Sequence, residues 1–348
     1  MSTEFEQREP DQIEGVPPPE FQRKVIGHAA VLADLQGRLA QGRLPGGILL
    51  HGPLGIGKAT LAFEIARAIF IATGDESPEH IVQQVAAGGY PNLFVLRKAP
   101  RDTGRGFYTA IRVDEVRGFV EELRMTRGRA GHRVAIVDPI DDANANAANA
   151  LLKILEEPPA DTTFLLISHR PGQLLPTIKS RCHPIALRPL SDGEVGEVLL
   201  ANRPDAGTDA IDRAVSLAGG SPRRGFEALL IGDAGTLVAL NEWLADPSRP
   251  RAAAHLALAD ALGANRDSAE ARFGRDVVLQ WIASEAKAAA LEGVRARLAS
   301  ANELWDKAVA LFEDTDVYNL DARQTLVTIL DAIKRHAQAN LAEPTEPR

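Results

Sequence analysis

Short, continuous apolar runs alternate with stretches of helical periodicity through the first half of this chain, and the runs cease near Pro189. Residues 48–51, 92–97, 133–138 and 163–168 have continuous apolar interiors rather than an alternating pattern, as parallel strands buried on both faces do. Residues 185–187 form a further short strand candidate. Helical spacing fills the intervals. Residues 29–42 place Val31, Leu32, Leu35 and Leu39 on one face, and residues 58–73 are rich in Ala and Ile. Val113, Val116, Val120 and Leu123 recur at the same period, and residues 143–157 end at Pro158-Pro159. Residues 98–107 are polar and glycine-bearing, a loop. Strands alternating with helices predict an α/β fold with a mostly parallel sheet covered on both faces.

Past Pro189 the pattern is helical only. Residues 191–230 predict a small helical bundle around Gly219-Gly220-Ser221-Pro222, and helices follow over 236–244, 252–262, 269–291, 299–312 and 320–339. No repeat of fixed period is visible. Residues 1–22 are acidic and proline-rich (Val16-Pro17-Pro18-Pro19) and read as a disordered leader; the tail 343–348 reads as frayed.

Composition narrows the function classes. The 348 residues are 45% apolar and 25% charged, ordinary for a globular chain of two or three domains. A net charge of -8 argues against wholesale coating of nucleic acid. Arg101, Arg105, Arg112, Arg117, Arg124, Arg127 and Arg129 form a local basic stretch, either a solvated face or a surface for DNA phosphates or a partner. The single cysteine, Cys182, excludes an internal disulfide and fits a reducing compartment; a cytoplasmic location is expected. No signal pattern opens the sequence and no run of about 18 apolar residues is present, so no membrane association is expected. Trp243, Trp281 and Trp305 lie on predicted helices as core or interface residues.

The chemistry concentrates in three places. Gly52-Pro-Leu-Gly55-Ile-Gly57-Lys58 fits a G-x-x-x-x-G-K phosphate loop and stands between a predicted strand and a predicted helix. Glycines let backbone N–H groups turn toward phosphate oxygens, the helix N-terminus adds partial positive charge, and Lys58 reaches the β and γ phosphates. The plainer reading is a glycine turn with a solvated lysine. Where such loops carry a hydroxyl for Mg²⁺ this chain has Ala59, with Thr60 next. One residue is about 100° of helix rotation, so Thr60 is expected to face elsewhere and magnesium to be weakly placed. Val134-Ala-Ile-Val137-Asp138 is an apolar strand ending in a carboxylate, which either holds Mg²⁺ through water or caps a turn. Arg181, in Ser180-Arg181-Cys182, reads in isolation as a surface arginine.

Taken together, the phosphate loop, the Asp138 strand, Asn149-Ala-Leu-Leu-Lys153-Ile-Leu-Glu156-Glu157-Pro158, the strand ending at Ser168 and Ser180-Arg181-Cys182 resemble the AAA+ clamp loaders. Among these they look most like the delta-prime subunits of bacterial DNA polymerase III. The resemblance runs from about residue 25 to 224, and less specifically into the helical tail through Asn319-Leu320-Asp321-Ala322-Arg323. It implies an AAA+ P-loop domain at 23–189, a small helical lid at 190–234 and an all-α collar for oligomerisation at 235–342. It also implies that Arg181 is an arginine finger acting in trans on a neighbouring subunit's ATP, a task suited to an always-charged, two-pronged guanidinium. Ser168 falls at the sensor-1 position and Arg223 at sensor-2; a commonplace strand-end serine and a helix-start charge are the plainer readings. The implied nucleotide set is Gly52, Gly55, Gly57, Lys58, Thr60, Asp138, Ser168 and Arg223, with ATP or ADP as cofactor. The implied partners are motor subunits and a clamp-opening subunit in a heteropentamer, the sliding clamp and primed DNA.

Two departures qualify this. Hydrolysing members usually follow the strand aspartate with a glutamate that polarises water; here Pro139 follows, and Asp141 and Asp142 would need unusual geometry to substitute. Own ATPase activity is therefore expected to be weak or absent, and no polymerase site is expected in this chain. Related subunits carry a four-cysteine zinc module before the strand aspartate; this chain has no cysteine there and no zinc is expected. The alternatives are an autonomous AAA+ ATPase motor subunit, favoured by the nearly complete loop, or a scaffold indifferent to nucleotide.

Overall fold

Five strands, β1 (Gly47–His51), β2 (Leu93–Leu96), β3 (Arg133–Val137), β4 (Thr162–Ser168) and β5 (His183–Ala186), lie parallel in the order β2-β3-β4-β1-β5. The computed structural model describes residues 12–102, 106–125, 131–232, 234–249 and 254–342. Residues 1–11 of the expected leader, Arg105, Arg127 and Arg129 of the basic stretch, and the tail 343–348 lie outside the described residues. β3 and β4 are buried at every position, which is why their sequences do not alternate. β5 is an edge strand, and Pro184, which has no N–H to donate, is tolerated there.

The helices of this α/β part are α1 (Ala29–Ala40), α2 (Lys58–Thr73), α3 (Pro78–Ala87), α4 (Val113–Arg124), α5 (Ala145–Glu156) and the single turn α6 (Pro176–Lys179). α2 lies against β1, β3 and β4, with α1 and α3 packed on it. Leu49, Ala135, Phe164 and Leu166 are buried in one cluster with Val116, Phe119 and Leu123 of α4 and Leu151, Ile154 and Leu155 of α5. A helix expected from residue 143 begins instead at Ala145, because the Asn144 side chain caps it, accepting from the Ala147 N–H at 2.9 Å. The sequence reading assigned no element to α3. Its signals are local: Ser77 caps, Pro78 occupies the first turn, Ile81 and Val85 are buried, and Gly88 ends it at φ +71°.

The disordered leader expected over 1–22 is corrected by the structure from Gln12 onward. Pro19–Phe21 form a 3₁₀ turn, Glu20 is 3% exposed, and the buried Arg67 guanidinium donates to the Glu20 carbonyl at 3.1 Å and the Gln22 carbonyl at 2.6 Å. The proline-rich composition suggested disorder, but its apolar rings and Glu20 have a surface to pack on.

Residues 190–231 form α7 (Asp192–Asn202), α8 (Thr208–Ala218) and α9 (Pro222–Ile231). The chain divides into two units, one of residues 1–211 and 218–226 and a second of 212–217 and 227–348. The second is all-helical, with α10 (Gly235–Ala245), α11 (Ala254–Gly263), α12 (Ala269–Glu292), α13 (Arg295–Tyr318) and α14 (Ala322–Ala342). α12 packs along α13, and α14 against α11 and α13. Trp243 is buried and Trp281 meets the His336 ring edge-on at 6.3 Å, whereas Trp305 stands exposed. Among the described residues no helix is long and apolar enough to cross a membrane.

Leu151 of α5 is buried within the cluster that joins the sheet to α4 and α5, at 1% exposed. Leu151→Ala is expected to lower unfolding free energy by about 2–5 kcal/mol, read as a fall in urea midpoint at unchanged slope.

Candidate functional site

The first unit contains a cavity of about 490 Å³ at the carboxyl ends of β1 and β3, a size in the range of small-molecule sites. Its floor is the phosphate loop. Gly55 has φ +77°, and a Cβ there would lie 2.3 Å from the Arg223 Cβ and 2.5 Å from the Ser221 Oγ. Gly52 has φ +152°, and a Cβ would lie 2.4 Å from the Leu187 carbonyl oxygen. Both positions require glycine, for backbone conformation and for close approach. The start of α9 is fastened to this loop: the Ser221 hydroxyl donates to the Leu54 carbonyl at 3.1 Å and the Arg223 N–H to the Gly55 carbonyl at 3.3 Å. Arg223 thereby lines the cavity.

Lys58 opens α2 and is 3% exposed. Its Nζ donates to the Gly52 carbonyl at 2.8 Å and to the Pro53 carbonyl, so the loop's own oxygens hold the ammonium at the helix N-terminus. Burial pushes its pKa down to about 8, against the opposing pull of Asp138 and Asp141. His51, at the end of β1, is likewise lowered, by burial and then by Lys58. Ala59 and Thr60 both line the cavity, so Thr60 is not turned away as the helix rotation suggested.

Asp138 is not disposed as a metal ligand. Its Oδ2 accepts from the Arg97 Nη2 at 3.3 Å and Nε at 3.4 Å, and the same guanidinium contacts both Glu20 carboxylate oxygens at 3.4 and 3.5 Å. All three side chains are nearly buried, at 7% exposed for Asp138, 11% for Arg97 and 4% for Glu20. The Arg97 guanidinium also lies 5.4 Å from the Phe63 ring centroid. β-register explains the pair: Leu96 faces Val137 across β2 and β3, so the next residues, Arg97 and Asp138, emerge side by side. The fold class implies a divalent cation here. With Asp138 engaged by a guanidinium and a methyl at position 59, the residues present do not fit one.

The remaining candidates divide. Ser168 is fully buried and its hydroxyl donates to Asp141 Oδ1 at 2.8 Å; it is absent from the cavity lining, which its neighbour His169 joins instead. Asp141 also accepts the backbone N–H groups of His169 and of Arg170, the latter at 3.2 Å. Asp142 pairs with the Lys98 Nζ at 2.7 Å. Both acids that could have replaced the missing base at Pro139 are thus engaged. Arg181 is outside the cavity: its Nη1 donates to the Thr177 carbonyl at 2.9 Å, and its Nη2 pairs with Glu156 at the surface. Cys182 is buried, and burial pushes its thiol up to about 11, which disfavours the thiolate. Of the basic stretch, Arg112 stacks on Tyr108 at 3.6 Å and pairs with Glu115, and Arg117 pairs with Asp114. Arg97, Glu20 and Lys98 were not anticipated; the parallel ends of Leu93-Phe-Val-Leu-Arg97 and Val134-Ala-Ile-Val-Asp138 were the available signal.

Sheet order, phosphate loop and helical continuation define a P-loop domain of the AAA+ class. Residues 27–191 match the model of the family described as DNA polymerase III, delta subunit. It is 42% identical over 179 residues to the DNA polymerase III subunit delta' of Pseudomonas aeruginosa, covering 50% of this chain and 52% of that protein. It is 29% identical over 173 residues to the subunit delta' of Bacillus subtilis, covering 49% and 50%. The chain thus spans about half the length of the curated relatives it matches. A solved DNA polymerase III gamma subunit-related protein from Thermotoga maritima aligns with a TM-score of 0.42 at 17% identity, over 88% of this chain and 99% of that one.

The depressed Lys58 pKa carries a stability consequence. Between about pH 8 and its ordinary value of 10.5 the unfolded chain binds a proton that the folded chain has released. Stability contributed at this residue therefore rises as pH rises through that window, by roughly 3 kcal/mol at most. Urea midpoints from pH 7 to 10 should show the rise, and Lys58→Met should remove it while raising stability at pH 7.

Proposed function

We propose that this chain works as a delta-prime-type subunit of a DNA polymerase III clamp loader, in a heteropentamer with motor subunits and a clamp-opening subunit. It hydrolyses ATP weakly or not at all, and lends Arg181 to the nucleotide of a neighbouring subunit while the sliding clamp is placed on primed DNA. The match of residues 27–191 to that family model supports the clamp-loader role. The observation that carries the finer reading is the separation of two halves of an ATPase. The cavity keeps a phosphate loop and Lys58 but has Pro139 where a base belongs, while the Ser-Arg-Cys arginine stands at the surface away from that cavity.

Arg181 is held in a way that allows transfer. Its partner Glu156 is about half exposed, and exposed ion pairs contribute little, about 0–1 kcal/mol. A phosphate on an adjacent subunit offers the same guanidinium two charged oxygens in a drier setting. The catalytic contribution is electrostatic: the fixed cation meets charge that develops on the transferred phosphoryl group.

Clamp- and primer-stimulated ATP turnover of the reconstituted complex tests this. At equal assembly, Arg181→Ala should reduce turnover by roughly tenfold or more, about 1.4 kcal/mol or more in barrier. Unchanged turnover would sink the arginine-finger role.

A further inference from the structure

The backbone beneath Arg181 is fixed, so the position of its guanidinium depends on what the side chain meets. Ile178 and Cys182, on either side of it, are 1% and 6% exposed. The Arg181 N–H donates to the Ile178 carbonyl at 3.1 Å. Its own carbonyl passes so close to β1 that a Cβ on Gly47 would lie 3.1 Å from that oxygen. The side chain, by contrast, is about a third exposed. Nη1 donates to the Thr177 carbonyl at 2.9 Å and to the Ser180 hydroxyl at 3.3 Å, and Nη2 meets the Glu156 carboxylate. Of these three partners only Glu156 carries charge.

Glu156 stands where helix electrostatics disfavour it. It is the last residue of α5, Glu157 follows as the cap, and Lys153 is the basic residue of that turn. The C-terminal end of a helix carries partial negative charge, which favours cations and disfavours a carboxylate. α5 is therefore not stabilised by an acid at this position; the acid acts on the guanidinium. A phosphate reaching Arg181 from another subunit meets the same carboxylate. Two anions on one guanidinium edge repel each other, so occupancy by one opposes occupancy by the other.

We propose that Glu156 is a competing anion that keeps Arg181 docked on its own chain until the nucleotide of a neighbouring subunit displaces it. This rests on Arg181 acting in trans, as proposed above. With the backbone held by Ile178 and Cys182, the exchange is a swing of one side chain and needs no movement of α5 or α6. An exposed ion pair is weak enough to be exchanged, yet it biases the equilibrium by up to about fivefold. Glu156 thus restrains the neighbour's turnover in proportion to the time Arg181 spends docked.

Clamp- and primer-stimulated ATP turnover of the reconstituted complex, at equal assembly, is compared for wild type, Glu156→Gln, Arg181→Ala and the double variant. Glu156→Gln should raise turnover by about twofold to fivefold, the effect of removing one exposed ion pair. Glu156→Asp keeps the charge and should lie nearer wild type. In the Arg181→Ala background Glu156→Gln should change nothing, because its effect passes through the guanidinium. Glu156 is at the surface and its neutralisation relieves the end of α5, so the fold is retained; the urea midpoint of the isolated chain checks this. Unchanged or lowered turnover in Glu156→Gln, beside the loss expected of Arg181→Ala, overturns the restraint and leaves the arginine finger standing. A rise that persists without Arg181 overturns it as well. If Arg181→Ala itself leaves turnover unchanged, the finger role fails and the restraint with it.

Discussion

A carboxylate at the end of a fully buried strand has to be matched by a cation, because an unpaired charge with so little exposure is not sustained. Asp138 stands in that position, and the choice of its partner organises everything around it. A metal ion would make the strand end a hydrolytic centre. Arginine makes it a structural and binding element instead. Arg97 arrives there because β2 and β3 are parallel and in register, and its second carboxylate, Glu20, brings the N-terminal segment down onto the sheet. Removing Arg97 would leave buried carboxylates uncompensated, at a cost of about 3–5 kcal/mol. The triad thus ties the strand ends to the N-terminal segment that walls the cavity.

The same logic extends to the other acids. In a hydrolytic P-loop site a base must be free to orient water. Here Pro139 offers none, Asp141 holds Ser168 and two backbone N–H groups, and Asp142 holds Lys98. Each group has been turned to holding the loop ends in place. What is left is a glycine loop with a buried lysine that the loop's own carbonyls keep in place. Arg181 belongs to the opposite category, at the surface and held by the Thr177 carbonyl and Glu156.

Much of this was legible in the sequence because the signals are local. The strand-loop-helix at 47–73 follows from an apolar run, three glycines and a lysine, and the boundaries of α2 fall where the pattern puts them. The all-helical character past Pro189 follows from the end of strand-like runs. What escaped the reading was non-local. Ser168 was placed with the nucleotide, whereas its hydroxyl is taken by Asp141, 27 positions earlier. Glu20 was assigned to a disordered leader, since proline-rich acidic composition does not reveal that an arginine 77 positions away needs a second partner. Thr60 was turned away by an idealised helix rotation, while the first turn of α2 in fact presents both residues 59 and 60 to the cavity.

The central claim is that this cavity holds phosphate and does not hydrolyse it. Phosphate release from ATP by the isolated chain, with Mg²⁺ present and Lys58→Ala as control, measures that directly. The account predicts no release above the Lys58→Ala background. Turnover on the order of one per second or faster, an ordinary enzymatic rate, that disappears in Lys58→Ala would contradict it and make this chain a motor in its own right.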